Sequence, residues 1–442
     1  MYIMSFPKRT IVDEQKLFPV LPNNNIAPIR PANDDLWGKD GDSFFYNGTV
    51  KMNCPAGLVW NSAKKECGFP SNKPAPKPPA PKPPAPKPPT PKPPTPKPPT
   101  PKPPAPQPPA PKPPAPQPPV PKPPAPAAER SDKGLKPVMI NVGGVQHAYQ
   151  SPANPKGLVV FLHGCSRSMY GGWPASANPK FFGMPEDVGR TKQCLRAGYA
   201  ILYVSPADSK TGCFSAKAGK DPITTVSVID QVRKITGTAS KPLYLGGCSA
   251  GGGMIQRMVA EGKIKCDGMF NESATRSDPS AKTPASLWIV LATDKEREAG
   301  VKMASATKKL GKPAAVLVSP RRQITPAFFA DQMASISFAN SAKIAESLKK
   351  SKAIDASGYV SGDIKNNKAW YNTLKNDVKI PETQLPFWNS GVVQAMLTAQ
   401  GVHDAVSMYM TTFLKWGESN FKLDVNELAK QYAVTKPAYV IA

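Results

Sequence analysis

Leu243-Tyr-Leu-Gly-Gly-Cys-Ser-Ala-Gly-Gly-Gly-Met254 decides how the rest of the chain is read. An apolar run from Pro242 to Leu245 stops at glycines. A helix-compatible segment, Met254-Ile-Gln-Arg-Met-Val-Ala260, follows them. Between the two lies Gly247-Cys-Ser249-Ala-Gly251, a G-x-S-x-G pattern. A strand turning this sharply into a helix leaves no room for side chains beside the serine, so its neighbours must be glycines. The serine is then expected in strained backbone geometry, with its hydroxyl projecting above the sheet edge. The Ala250 N–H would point to where an oxyanion forms. Gly/Ser-rich turns match this pattern by chance, so a base, an acid and a sheet must come from elsewhere in the chain.

Composition divides the 442 residues sharply. Most of the 56 prolines fall between Lys73 and Pro126, leaving an N-terminal piece of about seventy residues and a C-terminal piece of about three hundred. Only the second can bury a large core unaided. The formal charge of +26 favours acidic surfaces such as anionic polysaccharide, membrane or nucleic acid, although solvated lysines account for it equally. No nucleic-acid motif accompanies the charge. The seven cysteines (54, 67, 165, 194, 213, 248 and 266) show no C-x-x-C spacing, so no metal site is expected. Their odd number leaves at least one thiol unpaired, and Cys248 beside the serine is the expected one. Met1-Tyr-Ile-Met-Ser-Phe-Pro-Lys-Arg9 lacks the apolar stretch of an export signal, and no run reaches transmembrane length.

Residues 1–40 are polar and without period, and are expected to be poorly ordered. Residues 41–72 hold Phe45-Tyr46-Asn-Gly48, Cys54-Pro-Ala-Gly-Leu-Val-Trp60-Asn and Cys67. Short alternating segments and two cysteines thirteen apart predict a small β-hairpin module closed by a Cys54–Cys67 bridge. From Lys73 the repeat Pro-Lys-Pro-Pro-Ala/Thr runs with period five, within a linker taken as 73–134. Few backbone donors and fixed φ angles keep such a repeat in polyproline II. At about 3.1 Å per residue it spans roughly 160 Å as a semi-rigid spacer.

The C-terminal domain is placed at 135–442. Apolar runs predict strands at 138–142, 158–162, 200–204, 243–245, 267–270, 287–291 and 315–318. Helix-compatible stretches at 185–195, 224–235, 255–260 and 296–310 alternate with several of them. That alternation predicts an α/β fold with a mostly parallel sheet covered on both faces. Residues 325–395 break it and are expected to form a helical cap or insertion; a closing helix is expected at 405–416.

A serine nucleophile needs a base, and the base an orienting acid. Only three histidines are available. His147 reads as a surface residue of a short strand. His163, in Leu162-His-Gly-Cys165-Ser, follows a strand and is expected to be structural, with the Gly164–Cys165 backbone as the second oxyanion donor. His403, in Gly401-Val-His-Asp-Ala405, stands in a loop entering the last helix and is the candidate base. Asp294 follows the strand Leu287-Trp-Ile-Val-Leu291 and is the candidate acid, against a helix-capping role. Asp404 is the weaker choice, because adjacent residues seldom aim at each other's rings.

Phe161-Leu-His-Gly-Cys-Ser166, Gly183-Met-Pro-Glu186, Cys213-Phe-Ser215, Gly247-Cys-Ser-Ala-Gly251, Ala292-Thr-Asp-Lys-Glu296 and Val402-His-Asp404 together carry a resemblance. The domain resembles a largely uncharacterised group of plant and algal α/β-hydrolases, and more distantly polyester depolymerases and feruloyl or acetyl xylan esterases. The resemblance implies an α/β-hydrolase fold and a Ser249, His403, Asp294 triad acting on esters without metal or organic cofactor. It also implies a Cys165–Cys213 bridge. Residues 41–72 resemble the second half of a peritrophin-A-type chitin-binding module, which implies Trp60 and Tyr46 as platforms for sugar rings. The family's earlier cysteines are missing. The expected activity is therefore ester hydrolysis on a polysaccharide or polyester, outside the cell or at its wall. The alternative is a non-catalytic, wall-associated or carbohydrate-binding protein on a hydrolase scaffold.

Overall fold

The computed structural model describes residues 59–61, 66–68, 129–215 and 219–442. The chain divides into two compact units, Met1–Pro114 and Ala115–Ala442. In the first, strands β1 (Val59–Asn61) and β2 (Glu66–Gly68) pair antiparallel, with Trp60 opposite Cys67. Tyr46 and Cys54, and with Cys54 the expected Cys54–Cys67 bridge, lie outside the described residues.

The second unit is built on strands β3 (Val138–Val142), β4 (Val145–Gln150), β5 (Leu158–Leu162), β6 (Ala200–Val204), β7 (Leu243–Cys248), β8 (Gly268–Glu272), β9 (Ala285–Leu291) and β10 (Ala314–Ser319). Their spatial order is β10-β9-β8-β7-β5-β6-β4-β3. The β3–β4 hairpin joins β6 antiparallel, and every other pairing is parallel. Helices α1 (Pro185–Arg196), α2 (Asp221–Ile235), α3 (Ser249–Glu261) and α4 (Arg297–Lys309) make the crossovers β5–β6, β6–β7, β7–β8 and β9–β10. An eight-stranded sheet in this order, antiparallel only at its second strand, is the α/β-hydrolase fold.

Residues alternate between two apolar layers. Val159 and Phe161 of β5 join one core with Tyr203, Phe270, Phe413 and Trp416. Leu158, Val160 and Leu162 join the other, with Val228, Met254 and Met258 of α2 and α3. Both faces are covered, so β5 and β6 read as unbroken apolar runs. The chain lays β6 on one side of β5 and returns to lay β7 on the other. That reversal makes the carboxyl ends of β5 and β7 a topological switch point, where open α/β sheets generally take their ligands.

Helices α5 (Phe328–Gln332), α6 (Phe338–Lys350), α7 (Ala369–Asp377), α8 (Pro381–Gln384) and α9 (Gly391–Gln400) interrupt the α/β pattern. They enclose a separate core that includes Phe329, Ile344, Leu348, Trp370, Leu374 and Met396. The chain then packs α10 (Met410–Glu418) and α11 (Val425–Tyr432) against each other. Three expectations are corrected. The closing helix begins at Met410 and not at 405; residues 405–407 form a loop whose N–H groups are held by carboxylates of three separate segments. Helix α3 begins at Ser249 and not at 255, so the glycine triplet is helical. His147 is fully buried, because β4 lies between β3 and β6; its Nδ1 accepts from the Ser205 N–H at 3.1 Å.

Candidate active site

At the end of β7 the backbone goes from extended Cys248 (φ −107°, ψ 141°) to Ser249 at φ +48°. A left-handed conformation at a non-glycine residue costs about 1–2 kcal/mol and persists only where the surroundings impose it. Here the packing does so. A Cβ at Gly247 would lie 2.6 Å from the Gly252 nitrogen, one at Gly251 2.2 Å from the Leu162 oxygen, and one at Gly252 2.6 Å from the Gly247 oxygen. The elbow closes only because these positions lack side chains.

Opposite it, the loop after β5 brings Gly164 against the serine: a Cβ there would be 3.4 Å from the Ser249 Cβ. This loop is stapled by the Cys165–Cys213 disulfide. Further hold comes from the Ser166 N–H on the Thr211 carbonyl (3.1 Å) and the Arg167 N–H on the Gly164 carbonyl (3.2 Å). Ala250 is the second residue of α3, so its N–H belongs to the set without an intrahelical acceptor, at the positive end of the helix dipole. Gly164, Cys165 and Ala250 thus flank Ser249. His163 is buried and donates from Nδ1 to the Gly164 carbonyl at 2.8 Å, with its ring 5.1 Å from that of Phe214. Burial pushes its pKa down to about 4, so it is a neutral brace for the loop.

Asp294 and His403 meet across 109 residues of sequence, with His403 Nδ1 3.2 Å from Asp294 Oδ2 and 3.4 Å from Oδ1. The Thr293 N–H and hydroxyl both donate to the Gly401 carbonyl at 2.9 Å, which seats the histidine loop on the end of β9. Burial pushes the Asp294 carboxyl up. The hydrogen bond and charge of His403 and a bond from Ser273 outweigh it and hold the group below its ordinary value. Asp294 Oδ1 also accepts from the Glu296 N–H at 3.0 Å, so the aspartate serves the turn before α4 as well as the histidine. With Nδ1 turned to a carboxylate, Nε2 carries the lone pair. It is buried and has no partner among the described residues. It makes no hydrogen bond to Ser249.

Asp404 does not face His403. It pairs with Arg167, which also donates to the Trp388 carbonyl at 2.6 Å and lies 5.4 Å from the Trp388 ring centroid. Arg167 thereby ties the loop after β5, the histidine loop and the cap, a role that two residues past Leu162-His-Gly-Cys165 could have suggested. Arg190, Glu272 and Glu186 were also missed. Each is buried, and only a charged residue amid an apolar strand or helix face hinted at them. Burial pushes Glu272 up to about 7 despite Arg190 beside it. Burial likewise raises the thiol of Cys248, which is free and buried beside the serine. A separate cavity of about 420 Å³ borders the outer face of α1, where Phe181, Met184, Val188 and Lys192 line it; none of the candidate residues does.

No protein-family model and no curated protein matches the chain. Among solved structures it is similar to a hormone-sensitive lipase from a metagenome library (14% identity, 42% of this chain and 76% of that one, TM-score 0.30). It is also similar to carboxyl esterase 2 of the mycorrhizal fungus Tuber melanosporum (16%, 42% and 76%, TM-score 0.30) and to ESTFA (13%, 44% and 76%, TM-score 0.31). The fold assignment rests on the strand order described above.

Proposed function

We propose that the C-terminal unit is a serine hydrolase that cleaves carboxylic esters. The observation that carries this reading is the conjunction at the carboxyl edge of the sheet. Ser249 sits at φ +48° at the end of β7, and a partly buried Asp294–His403 pair closes the end of β9, two strands along the sheet. In this mechanism His403 Nε2 takes the proton of Ser249 Oγ as the oxygen attacks the ester carbonyl, then returns it to the leaving alcohol. Asp294 keeps the proton on Nδ1 and stabilises the imidazolium. The Ala250 N–H and the Gly164–Cys165 backbone bind the oxyanion, each donor being worth about 3–4 kcal/mol in the transition state. A water activated by His403 then releases the acyl group.

The finer reading is that the ester belongs to a polysaccharide or polyester outside the cell, to which the N-terminal module with Trp60 and Tyr46 tethers the enzyme. A disulfide at the site supports an oxidising compartment, and the period-five linker supports a spacer role. Fluorophosphonate labelling with peptide mapping tests the mechanism. The adduct is expected on Ser249; no adduct would favour the non-catalytic alternative. Retention on chitin and cellulose, with and without residues 1–72, tests the tether.

A further inference from the structure

His403 rides on a loop that buried carboxylates grip residue by residue. Asp404 Oδ1 accepts from the Ala405 N–H at 2.8 Å, and Glu272 Oε2 accepts from the Val406 N–H at 3.0 Å. Glu186 Oε2 accepts from the N–H and hydroxyl of Ser407 at 2.8 and 2.9 Å. Among these carboxylates Glu272 has a special place in the sheet. It is the last residue of β8, in register with Cys248 of β7 on one side and Ile289 of β9 on the other. Its strand therefore lies between the one that leads to Ser249 and the one that leads to Asp294. Its carboxylate is in turn held by Arg190, with Nη2 to Oε2 at 2.6 Å and Nε to Oε1 at 3.3 Å. Arg190 is fully buried, pairs with Asp187 at 2.8 Å and lies 3.6 Å from the Phe161 ring centroid.

We infer that Glu272, clamped by Arg190, is a positioning residue for His403: it fixes the loop at Val406 to the strand beside the nucleophile, and so sets where Nε2 lies relative to Ser249. This rests on the serine-hydrolase reading. The chemistry needs a carboxylate and no other group of that shape. Both oxygens face donors, Oε2 two of them and Oε1 one. A glutamine offers a single acceptor oxygen, so its NH₂ must turn toward either the guanidinium or the Val406 N–H. With its oxygen at the Oε2 position the amide keeps Val406 and Nη2 but sets its NH₂ against the Arg190 Nε–H; flipped, it loses both the Val406 N–H and Nη2.

The test compares full-length wild type with Glu272→Gln and Glu272→Asp in two readouts. In p-nitrophenyl acetate hydrolysis, Glu272→Gln is expected to lower kcat at least tenfold with KM changed less than twofold, and Glu272→Asp to recover part of the rate. In imidazole NMR the chain's three histidines give a spectrum in which His403 is assigned by His403→Gln. The Nδ1–H signal of His403 is expected to shift or broaden in Glu272→Gln, while those of His147 and His163 stay. Wild-type kcat and an unmoved His403 signal in Glu272→Gln, with only its melting temperature lowered, would overturn the inference and leave a structural ion pair. If Glu272→Gln does not fold, Glu272→Met replaces it, which leaves Arg190 paired with Asp187. The same slow kcat and moved signal are expected. If wild type shows no Ser249-dependent hydrolysis, the hydrolase reading fails, and the NMR arm still decides whether Glu272 places His403.

Discussion

At the residue scale, the glycines of the elbow make the sharpest demand on the sequence. Gly251→Ala would force a Cβ to 2.2 Å from the Leu162 carbonyl oxygen, with backbone on both sides of the clash. The expected outcome is a loss of several kcal/mol or failure to fold, read by thermal unfolding. Asp294 makes a pH prediction. Its folded carboxyl titrates below the ordinary value, so its contribution to stability is present above the carboxylate range and is lost as pH falls through the folded value. The melting-temperature gap between wild type and Asp294→Asn should thus be full near pH 6 and shrink below about pH 4. The activity of Asp294→Asn should fall about 10³–10⁴-fold, because an amide stabilises the wrong imidazole tautomer. Residues at this scale were legible where motif and turn chemistry coincide, as at Ser249 and the glycines around it. Glu272 and Arg190 were not legible, because their pairing spans 82 residues and leaves no local pattern.

At the element scale, periodicity located the strands well. The apolar runs at 158–162 and 200–204 are the observed β5 and β6 to the residue. Helix ends fared worse, for identifiable reasons. Glycine lowers helix propensity, so the triplet Gly251–253 reads as loop, yet close approach to β5 and to Ala274 requires it within α3. Conversely Ala405, Val406 and Met408 read as the apolar face of a helix, but they lie in a loop pinned to β8 and α1 by Glu272 and Glu186, contacts that only the tertiary fold supplies. The disulfide makes a prediction here. Its loop of 48 residues gives about 4 kcal/mol from chain entropy. Mild reduction, or Cys213→Ser, should lower the melting temperature by at least about 5 °C. It should also slow hydrolysis, since Cys165 and Gly164 then lose their staple beside Ser249. Unchanged kcat after verified reduction would separate the oxyanion donors from that loop.

At the scale of the whole molecule, the candidate site is assembled from parts distant in sequence: the elbow, the loop after β5, the end of β9 and a histidine loop reached only after the cap. The cap has an apolar core of its own and meets the body through polar links. Among them are Arg322 with Glu186 at 2.9 Å and Arg167 with the Trp388 carbonyl. Composition foretold an interruption of the α/β pattern but not these links, which depend on the tertiary fold. The proline repeat and the +26 charge belong to the same scale. Under the proposed tethering they bear on which polymers the chain meets, and binding to anionic supports is expected to weaken steeply with salt.

The central claim, a serine mechanism at the β7 elbow, is tested most directly by hydrolysis of short p-nitrophenyl esters by the full-length chain beside Ser249→Ala. The expected result is turnover by wild type that falls at least about 10³-fold in the variant, with both proteins unfolding at closely similar temperatures. Equal rates in the two proteins would contradict it.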